Sequence, residues 1–222
     1  MTTPASQPTP SRRQRWSAST RDALVDAAEQ LFAEHGYQAT SLDAIVAGAD
    51  VTKGALYHHF SGKQAIFEAA FERVEARATQ GIAAARTGHD DPWEQALAGL
   101  RAFLAAVQEP SYRQIVVSDG PSVLGHARFR EQEERSTYAV VDEVVRSVLT
   151  SDDWELDAPM LDTFTHIFFG AMSAAGGSVA ASEDPAAAAD RAEAAISFVL
   201  TGLRRLLEGG VGTPGPGATW RR

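Results

Sequence analysis

Residues 40–60 read TSLDAIVAGADVTKGALYHHF, and this segment explains how the rest of the chain is organised. Its apolar residues recur at helical spacing on either side of Asp50, which predicts two short helices joined by a tight turn. We expect Thr40 to cap the first helix, with Asp43 three residues later completing a capping box. Thr52 is expected to cap the second helix. The segment is therefore predicted to hold one short helix firmly against another.

The second predicted helix, residues 53–59, is about two turns long and begins with small and hydrogen-bonding residues. A short helix that is supported by another suits the major groove of DNA. It contains Lys53 but no Arg, Asn or Gln, which are the other residue types that make strong paired contacts with base edges. Base reading is therefore expected to rest on Thr52, Lys53, His58 and a close approach of the backbone at Gly54.

One reader of this kind supplies about 1–3 kcal/mol of discrimination per base contact, which is too little for a specific site in a genome. Two readers set roughly 34–36 Å apart would read a palindrome, so the sequence predicts a homodimer on double-stranded DNA. Tyr57 and Lys63 are expected to contact phosphates. Packing inside the small domain is the alternative for Tyr57 and the favoured interpretation for His59. The candidate DNA-binding residues are Ser41, Thr52, Lys53, Gly54, Tyr57, His58 and Lys63.

Residues 39–67 resemble the DNA-binding domain of TetR-family repressors, and the phrase TKGALYHHF at residues 52–60 carries the resemblance most specifically. The similarity is strong over residues 18–78. The resemblance implies an N-terminal three-helix helix-turn-helix domain followed by a C-terminal helical domain for effector binding and dimerisation. It also implies a transcriptional repressor that sits on its operator and leaves the DNA when a small molecule binds.

No strand-like alternation is apparent, so the whole chain is predicted to be all-α, with about nine helices. The predicted divisions are a disordered basic arm at residues 1–17, the helix-turn-helix domain at 18–78, the effector-binding and dimerisation domain at 79–208, and a disordered tail at 209–222. The arginines of the arm are expected to enter the minor groove or to touch phosphates, and an ordinary solvated tail is the alternative.

The helix-turn-helix segment lies between two longer predicted helices. The first runs from about residue 20 to 35, with Gly36 well placed to end it. Ser61 is expected to open the other, with Gln64 completing a second capping box. That helix is predicted to continue to about Arg86, so a single rigid rod connects the DNA reader with the second domain.

The C-terminal half is predicted from apolar spacing. Residues 119–121 are expected to stop a short helical piece that begins at Tyr112. Residues 127–149 are predicted as one helix, although their many valines favour strands. Residues 164–177 carry apolar or small side chains nearly all round the helix, and in residues 185–207 an alanine-rich run leads to apolar residues at a seam-like spacing. Such helices are covered on more than one side, which predicts a four-helix interface between two subunits.

The effector pocket is implied by the resemblance, since helical spacing alone does not distinguish a pocket from an ordinary core. A mostly apolar pocket with a few polar groups would suit an apolar or aromatic effector. His166 and Tyr112 are the more informative candidates, because a buried polar group needs a partner. The candidate lining residues are Leu100, Leu104, Tyr112, Val116, Phe129, Val141, Phe164, His166, Phe168 and Met172.

Composition limits the remaining function classes. The 222-residue chain has no cysteine, which excludes disulfides and thiolate chemistry and fits a reducing cytoplasm. Its net charge of −9 does not argue against DNA, because arginines cluster near the N-terminus and the acidic excess follows residue 78. No secretory signal is apparent. Polar side chains and a glycine pair interrupt the weakly charged residues 164–182, so a buried helix is favoured over a membrane span.

Enzyme chemistry has little support, and no cofactor or metal is predicted. Neither a glycine-rich phosphate loop nor a nucleophile motif occurs in the sequence. Asp162 and His166 share a helix face, but two ligands do not make a metal site. The alternatives that stay open are a regulator without a small-molecule effector, an activator, and a helical metal-binding enzyme with an incidental helix-turn-helix.

Overall fold

The computed structural model describes residues 12–150 and 156–208, and within these ranges it contains ten α-helices, one π-helix and no strand. The prediction of an all-α chain is confirmed. In chain order the helices are α1 (Arg12–Ala39), α2 (Leu42–Gly48), α3 (Lys53–His59), α4 (Lys63–Arg86), α5 (Pro92–Gln108), π1 (Tyr112–Asp119), α6 (Gly120–Leu124), α7 (His126–Arg135), α8 (Thr137–Leu149), α9 (Ala158–Ala180) and α10 (Pro185–Glu208). The disorder predicted for residues 1–11 and 209–222 concerns segments outside the described residues.

Helix α1 begins earlier than the sequence predicts. Residues 12–17, assigned to the disordered arm, form its first turns. They contain neither proline nor glycine, so nothing in them opposes the helix. The expected interruption at Gly36 is confirmed, since this residue has φ 74° and ψ 168°, a conformation that glycine adopts without steric cost.

The first four helices share one apolar core. Fully buried side chains of α1 pack against those of α2 and α4, and Phe32 meets Phe67 edge-on with ring centroids 5.2 Å apart. Helix α3 is anchored in this core by the buried side chains of Leu56 and Phe60. Burying a side chain of this size contributes about 1.5–3 kcal/mol. Because a two-turn helix is unstable alone, this packing holds α3 in place.

The N-terminal cap of α3 agrees with the prediction, whereas that of α2 does not. Thr52 caps α3, since its hydroxyl accepts a hydrogen bond from the backbone N–H of Ala55 at 3.2 Å. Helix α2 is capped by Ser41, whose hydroxyl accepts from the N–H of Ala44 at 3.1 Å, and not by Thr40. The buried Thr40 hydroxyl instead donates to backbone carbonyls of α1, so tertiary packing removes it from the capping position.

The start of α4 also differs from the prediction. Gly62 occupies the capping position and no side chain caps this end, so Ser61 and Gln64 do not form a capping box. The side-chain amide of Gln64 donates to the carbonyl of Val123 at 3.1 Å, which ties α4 to α6. A contact distant in sequence therefore replaces the local one.

Two further boundaries differ in the C-terminal part. The helical piece that begins at Tyr112 ends at Asp119 as predicted, but no break follows, because Gly120 and Pro121 open α6. The missing N–H of proline is tolerated in a first helical turn. Residues 127–149 are two helices, separated at Ser136 by φ −113° and ψ −93°. The hydroxyl of Ser136 donates to the carboxylate of Glu75 at 3.1 Å, so a contact with α4 fixes the break.

Helices α5, α8 and α9 enclose a second apolar cluster, which α10 partly covers. Its buried members are Trp93, Ala96, Val145, Val148, Leu149 and Leu161. Helix α4 passes residue 78 without interruption, so the same rod belongs to the N-terminal core and to the C-terminal helices.

A set of polar contacts joins the first three helices to the rest of the chain, and we call it the domain junction. The carboxylate of Asp119, at the end of π1, accepts a hydrogen bond from the backbone N–H of Tyr37 at 2.8 Å. Arg73 and Arg77 of α4 pair with carboxylates of α1, at Asp22, Asp26 and Glu29. A π-helix is rare and often marks a functional site. Here π1 connects the interior of the C-terminal part with the kink of α1.

Candidate nucleic-acid interface and internal cavities

The exposed residues at the start of α3 form the candidate interface. Leu56 faces the core with 1% exposure, whereas the Tyr57 side chain next to it is 60% exposed. Thr52, Lys53, Gly54 and His58 are also exposed, and so is Ser41 at the start of α2. Six of the seven predicted DNA-binding residues are thus accessible, and their contact with DNA stays a prediction.

Gly54 is not required by the fold. A Cβ atom built on this residue would meet only the Thr52 hydroxyl oxygen, at 3.8 Å, which is an ordinary van der Waals distance. Its φ lies outside the left-handed region that favours glycine. The lack of a side chain at Gly54 therefore serves no evident packing purpose, and it leaves the backbone of α3 open to a close-approaching partner.

Lys53 is held by Asp43 of the supporting helix, with 2.7 Å between the ammonium nitrogen and a carboxylate oxygen. The hydrogen bond that Lys53 donates to the carboxylate of Asp43 raises the pKa of Lys53 above its ordinary value, and charge attraction adds to this. Both side chains are more than 60% exposed, so water screens the pair and its contribution to stability is small. A phosphate or a base could therefore draw Lys53 away from Asp43 at little cost.

Lys63, the seventh predicted residue, has partners inside the domain. Its ammonium group donates to the carbonyl of Gln38 at 3.2 Å and lies 4.2 Å from the centre of the Tyr37 ring. A phosphate contact would compete with these interactions. His59 is half-buried, and burial is the main cause that lowers its pKa, ahead of the charges of His58 and Arg21. The favoured interpretation of His59 as a packing residue agrees with this environment.

The C-terminal helices line a partly open cavity of about 90 Å³ that we call the apolar cavity. It lies among α4, α5, α8, α9 and α10, and the valines of α8 form one wall. Thr137 is the one polar side chain among the described residues that line it. The apolar cavity therefore suits a hydrocarbon or an aromatic ring and offers almost no hydrogen bonds.

A neighbouring cavity of about 190 Å³ has a different character, and we call it the Glu75 cavity. The side chain of Glu75 is 4% exposed and contributes to its wall. Tyr112, Thr137 and Ser173 add polar groups to an otherwise apolar lining. Glu75 is not among the lining residues predicted from the sequence, although its position four residues after Phe71 and one after Val74 places it on the buried side of α4.

The predicted lining residues divide between these cavities and other places. Leu100, Val141 and Phe168 line the apolar cavity, Tyr112, Val116 and Phe129 line the Glu75 cavity, and Met172 lines both. Three others line neither cavity. Leu104 is ordinary core, Phe164 packs against the second apolar cluster, and His166 is exposed. Whether any of them contacts an effector stays a prediction.

Helices α9 and α10 leave large apolar side chains exposed. Phe198 is 79% exposed, Ile167 61% and Val199 57%. A Cβ atom built on Gly170 or Gly202 would have no neighbour within 4 Å, so these glycines leave open space on the same two helices. An apolar surface with small residues is typical of helices that pack closely against another subunit.

Asp162 and His166, which share a helix face, have other partners. The carboxylate of Asp162 accepts a hydrogen bond from Arg146 at 2.6 Å, and His166 Nδ1 lies 3.2 Å from the Tyr138 hydroxyl. Within residues 12–150 and 156–208, no group of three or more His, Asp or Glu side chains is arranged to hold a metal ion. In the same described ranges, no helix combines the length and apolar character that a membrane span requires.

Two family models match the chain. "Bacterial regulatory proteins, tetR family" matches residues 24–70, which include the whole α2–α3 reader. "Tetracyclin repressor-like, C-terminal domain" matches residues 93–203, half of the chain. The chain belongs to the TetR family. Membership of a family of regulators agrees with the expectation that the protein is not an enzyme.

Curated relatives match parts of the chain of different lengths. The TetC protein of transposon Tn10 from Escherichia coli is 49% identical over 55 residues, which are 25% of this chain and 28% of TetC. The transcriptional repressor BepR of Brucella suis is 42% identical over 79 residues, 34% of this chain and 37% of BepR. The transcriptional activator FasR of Mycolicibacterium smegmatis is 31% identical over 131 residues, 57% of this chain and 59% of FasR. The chain thus spans 28% of the length of TetC and 37% of that of BepR.

The similarity to a TetR-family structure covers most of the chain. A TetR-family transcriptional regulator from Pectobacterium atrosepticum superposes with a TM-score of 0.69 at 29% identity, covering 87% of this chain and 97% of that protein. The arrangement of an N-terminal helix-turn-helix domain and a C-terminal helical domain is therefore shared over nearly the full length of that regulator.

Proposed function

We propose that the protein is a transcriptional repressor that binds a palindromic operator as a homodimer and is released by a small apolar or aromatic effector. The observation that carries this proposal is the exposed and capped start of α3, with Lys53, Gly54 and Tyr57 on one accessible surface. The match of this region to the tetR family model and to the repressor BepR supports DNA as the partner.

Dimerisation is proposed through α9 and α10. The exposed Ile167, Phe198 and Val199 support this, because an apolar surface of this kind is costly in water. Two such helices from each subunit would form a four-helix interface. Replacing Phe198 with glutamate is expected to give monomers that sediment at half the mass and bind operator DNA weakly, with their helical content retained because Phe198 is exposed in the single chain. A variant that stays dimeric would contradict this interface.

Release of DNA is proposed to be a population shift between two arrangements of the readers. An effector changes this equilibrium only if it binds one arrangement more tightly than the other. Both cavities have α4 residues in their walls, and α4 begins directly after the reader. The domain junction adds a second route, from π1 through Asp119 to α1. Effector binding is expected to favour a distance between the two α3 helices of the dimer that does not match successive major grooves.

The domain division at residues 18–78 and 79–208 remains part of this proposal, with α4 shared by both domains. A cytoplasmic location, in contact with the chromosome, is expected for such a regulator. Activation instead of repression is the second candidate, and the similarity to the activator FasR favours it. A regulator controlled by a protein partner and a helical metal enzyme are less well supported, since the cavities offer a site for a small molecule and Asp162 is paired with Arg146.

The experiment that tests the proposal is a footprint on DNA from the region flanking its own gene, followed by a compound screen. Thermal shift would identify compounds that bind, and loss of the footprint would identify those that release DNA. We expect a symmetric footprint and release by at least one apolar or aromatic class. If a specific footprint forms but no binding compound weakens it, release by a small-molecule effector is refuted. If no duplex gives a specific footprint, the role as a DNA-binding regulator is refuted.

A further inference from the structure

We propose that the apolar cavity holds the body of an apolar monocarboxylic acid, whose carboxylate binds Arg86 at the rim of the cavity and takes the place of Glu143. This inference rests on the proposed function, because it names the chemical class of the small-molecule effector. Neither Arg86 nor Glu143 is among the lining residues predicted from the sequence.

Arg86 is a buried arginine that uses only part of its hydrogen-bonding capacity. Its side chain is 9% exposed, and its Nη2 atom donates to a carboxylate oxygen of Glu143 at 3.0 Å. Its Nε atom is also buried and has no hydrogen-bond partner among residues 12–150 and 156–208. A buried donor without a partner is costly, and an arginine side chain in a protein is always charged. Arg86 therefore keeps a donor that an anionic group could bind.

The unused donor lies beside the one that Glu143 uses. One N–H bond of Nη2 points in the same direction as that of Nε, along one edge of the planar guanidinium group, and such a pair of donors can bind both oxygens of a carboxylate. Glu143 accepts a hydrogen bond from only one of the two. A ligand carboxylate that accepts from both makes two charge-assisted bonds instead of one. It can therefore compete with Glu143 for Arg86.

Glu143 is a partner that a ligand can displace. Its side chain is 70% exposed, so its carboxylate can turn into water and leave no buried charge behind. Water also weakens an ion pair that has such an exposed member. Because the position that the Glu143 carboxylate now occupies is accessible to solvent, the charged ligand head keeps part of its hydration there. The exchange replaces one carboxylate with another at the same arginine.

The pair of Arg86 and Glu143 lies at the rim of the apolar cavity. Residues about one turn apart share a helix face, and Ile82, one turn before Arg86, lines the cavity, as does Val140, one turn before Glu143. Gly99 lines it as well, and a Cβ atom built on Gly99 would lie 3.5 Å from Cδ of Arg86. The Arg86 side chain thus packs directly behind the cavity wall, and its Nε atom is bonded to this Cδ.

The apolar cavity determines the rest of the ligand. Its volume of about 90 Å³ is roughly six to nine times what a single water needs, which gives room for a chain of about that many carbon atoms. Thr137 is the one polar side chain among the described lining residues. A second polar group on the ligand body would therefore be buried almost without partners, which is unfavourable. The site selects a single carboxylate on a hydrocarbon body.

Binding at Arg86 acts on the helix that connects the cavity with the DNA reader. Arg86 is the last residue of α4, and Glu143 belongs to α8, so their ion pair links these two helices. Helix α4 begins directly after the α2–α3 reader. A ligand that displaces Glu143 removes the link. We therefore expect acid binding to change the position of α4 relative to α8 and, with it, the position of the reader.

The test compares three probes of equal chain length, octanoate, octanol and octylamine, on the full chain below their micelle concentrations. Binding is measured by calorimetry without DNA, and release is measured separately on the footprinted duplex. We expect octanoate to bind about tenfold or more tightly than octanol, and octylamine to bind most weakly because Arg86 repels it. Each methylene added to a shorter alkanoate should tighten binding about fourfold until the apolar cavity is filled.

Three variants locate the preference. Arg86→Gln should abolish the advantage of octanoate over octanol. Glu143→Gln removes the competing carboxylate, so octanoate should bind about threefold or more tightly than to the unmodified protein, with octanol binding unchanged within about twofold. Glu193→Gln is the matched control, because it makes the same charge change and breaks an exposed ion pair with Arg101, and neither residue lines the apolar cavity. This control should leave the ratio of octanoate to octanol affinity unchanged.

The outcomes separate this inference from the proposed function. Octanol or octylamine binding as tightly as octanoate, or octanoate affinity unchanged in either Arg86→Gln or Glu143→Gln, would overturn the acid head and leave release by another effector intact. Because Glu143 is exposed, its variant tests the inference even if Arg86→Gln does not fold. Octanoate binding that depends on Arg86 but never releases DNA would support the site and count against release. No binding by any of the three probes would overturn the inference, while release by another compound class would still support the proposed function.

Discussion

Replacing Gly54 with alanine should increase the stability of the protein and weaken its binding to DNA. The added methyl group would find only the Thr52 hydroxyl within 4 Å, at 3.8 Å, so the folded chain accommodates it without strain. Alanine in place of glycine within a helix stabilises by about 0.5–1 kcal/mol. For a chain of this length, the midpoint of thermal unfolding should rise by roughly 1–4 °C.

DNA binding should change in the opposite direction. If the backbone of α3 approaches the major groove at Gly54, the methyl group keeps the reader away from the bases it contacts. Losing about 1–3 kcal/mol at each reader gives about 2–6 kcal/mol for a dimer, so operator affinity should fall by at least about 30-fold.

Gly81→Ala is the matched control. Gly81 lies on the exposed side of α4, and a Cβ atom there would have no neighbour within 4 Å. This variant should gain similar stability with unchanged DNA affinity. Thermal unfolding and gel-shift titrations of both variants provide the comparison. Operator affinity of Gly54→Ala within twofold of the unmodified protein would refute a close approach of the backbone at this residue.

Four further substitutions test other parts of the molecule. Tyr57→Phe should weaken binding to operator and to unrelated duplexes by the same factor, about 5-fold or more for two lost phosphate contacts, and an altered base preference in gel shifts would contradict this role. Asp43→Asn should free Lys53 and tighten DNA binding about two- to tenfold at low salt, whereas weaker binding would show that the ion pair orients Lys53 productively. Asp119→Ala removes the acceptor of an α1 backbone N–H, so chemical denaturation should show a loss of about 1–3 kcal/mol and effector titrations a smaller release of DNA; full release would exclude this route. The hydrogen bond from Arg146 lowers the pKa of Asp142, against the opposing effect of burial. The ionised carboxylate therefore stabilises the fold at pH values above its unfolded pKa of about 3.9, and this contribution is lost as the pH falls through the folded pKa. Asp142→Asn should therefore cost about 1 kcal/mol in unfolding experiments at pH 7 and almost nothing near pH 2, and equal losses at both pH values would contradict this assignment.

The helix-turn-helix formed by α2 and α3 could be predicted from the sequence because the interactions that determine it are local. Thr52 caps a helix that starts at the next residue, and the apolar spacing that places Leu56 inside leaves Tyr57 outside. Such interactions act over one or two helical turns, so they can be predicted without knowing the rest of the fold.

The errors occur where distant contacts compete with local ones. Thr40 has the residue type and spacing of a cap, but its hydroxyl is used by carbonyls of α1, and Ser41 takes the position. Gln64 has the spacing of a capping box, but its amide bonds to Val123, 59 residues away. Ser136 interrupts a helix through its bond to Glu75. Propensity and spacing contain no information about these partners.

The pocket could be predicted only in part for a related reason. Apolar residues at helical spacing face inward whether the interior is filled or open, so Leu104 in the core and Leu100 at the apolar cavity look alike in sequence. Glu75, which lines the second cavity, is an acid within an apolar stripe, and such a break in the pattern is the kind of signal that could have identified it.

The most direct measurement is the mass, by sedimentation equilibrium, of the full chain alone and on a duplex that carries its footprinted palindrome, with the single half-site as the comparison. We predict a dimer without DNA, two chains on the palindrome, and much weaker binding to the half-site. A stable monomer that binds the half-site as tightly as the palindrome, or that binds no duplex at all, would contradict the proposal that paired α3 helices read the operator.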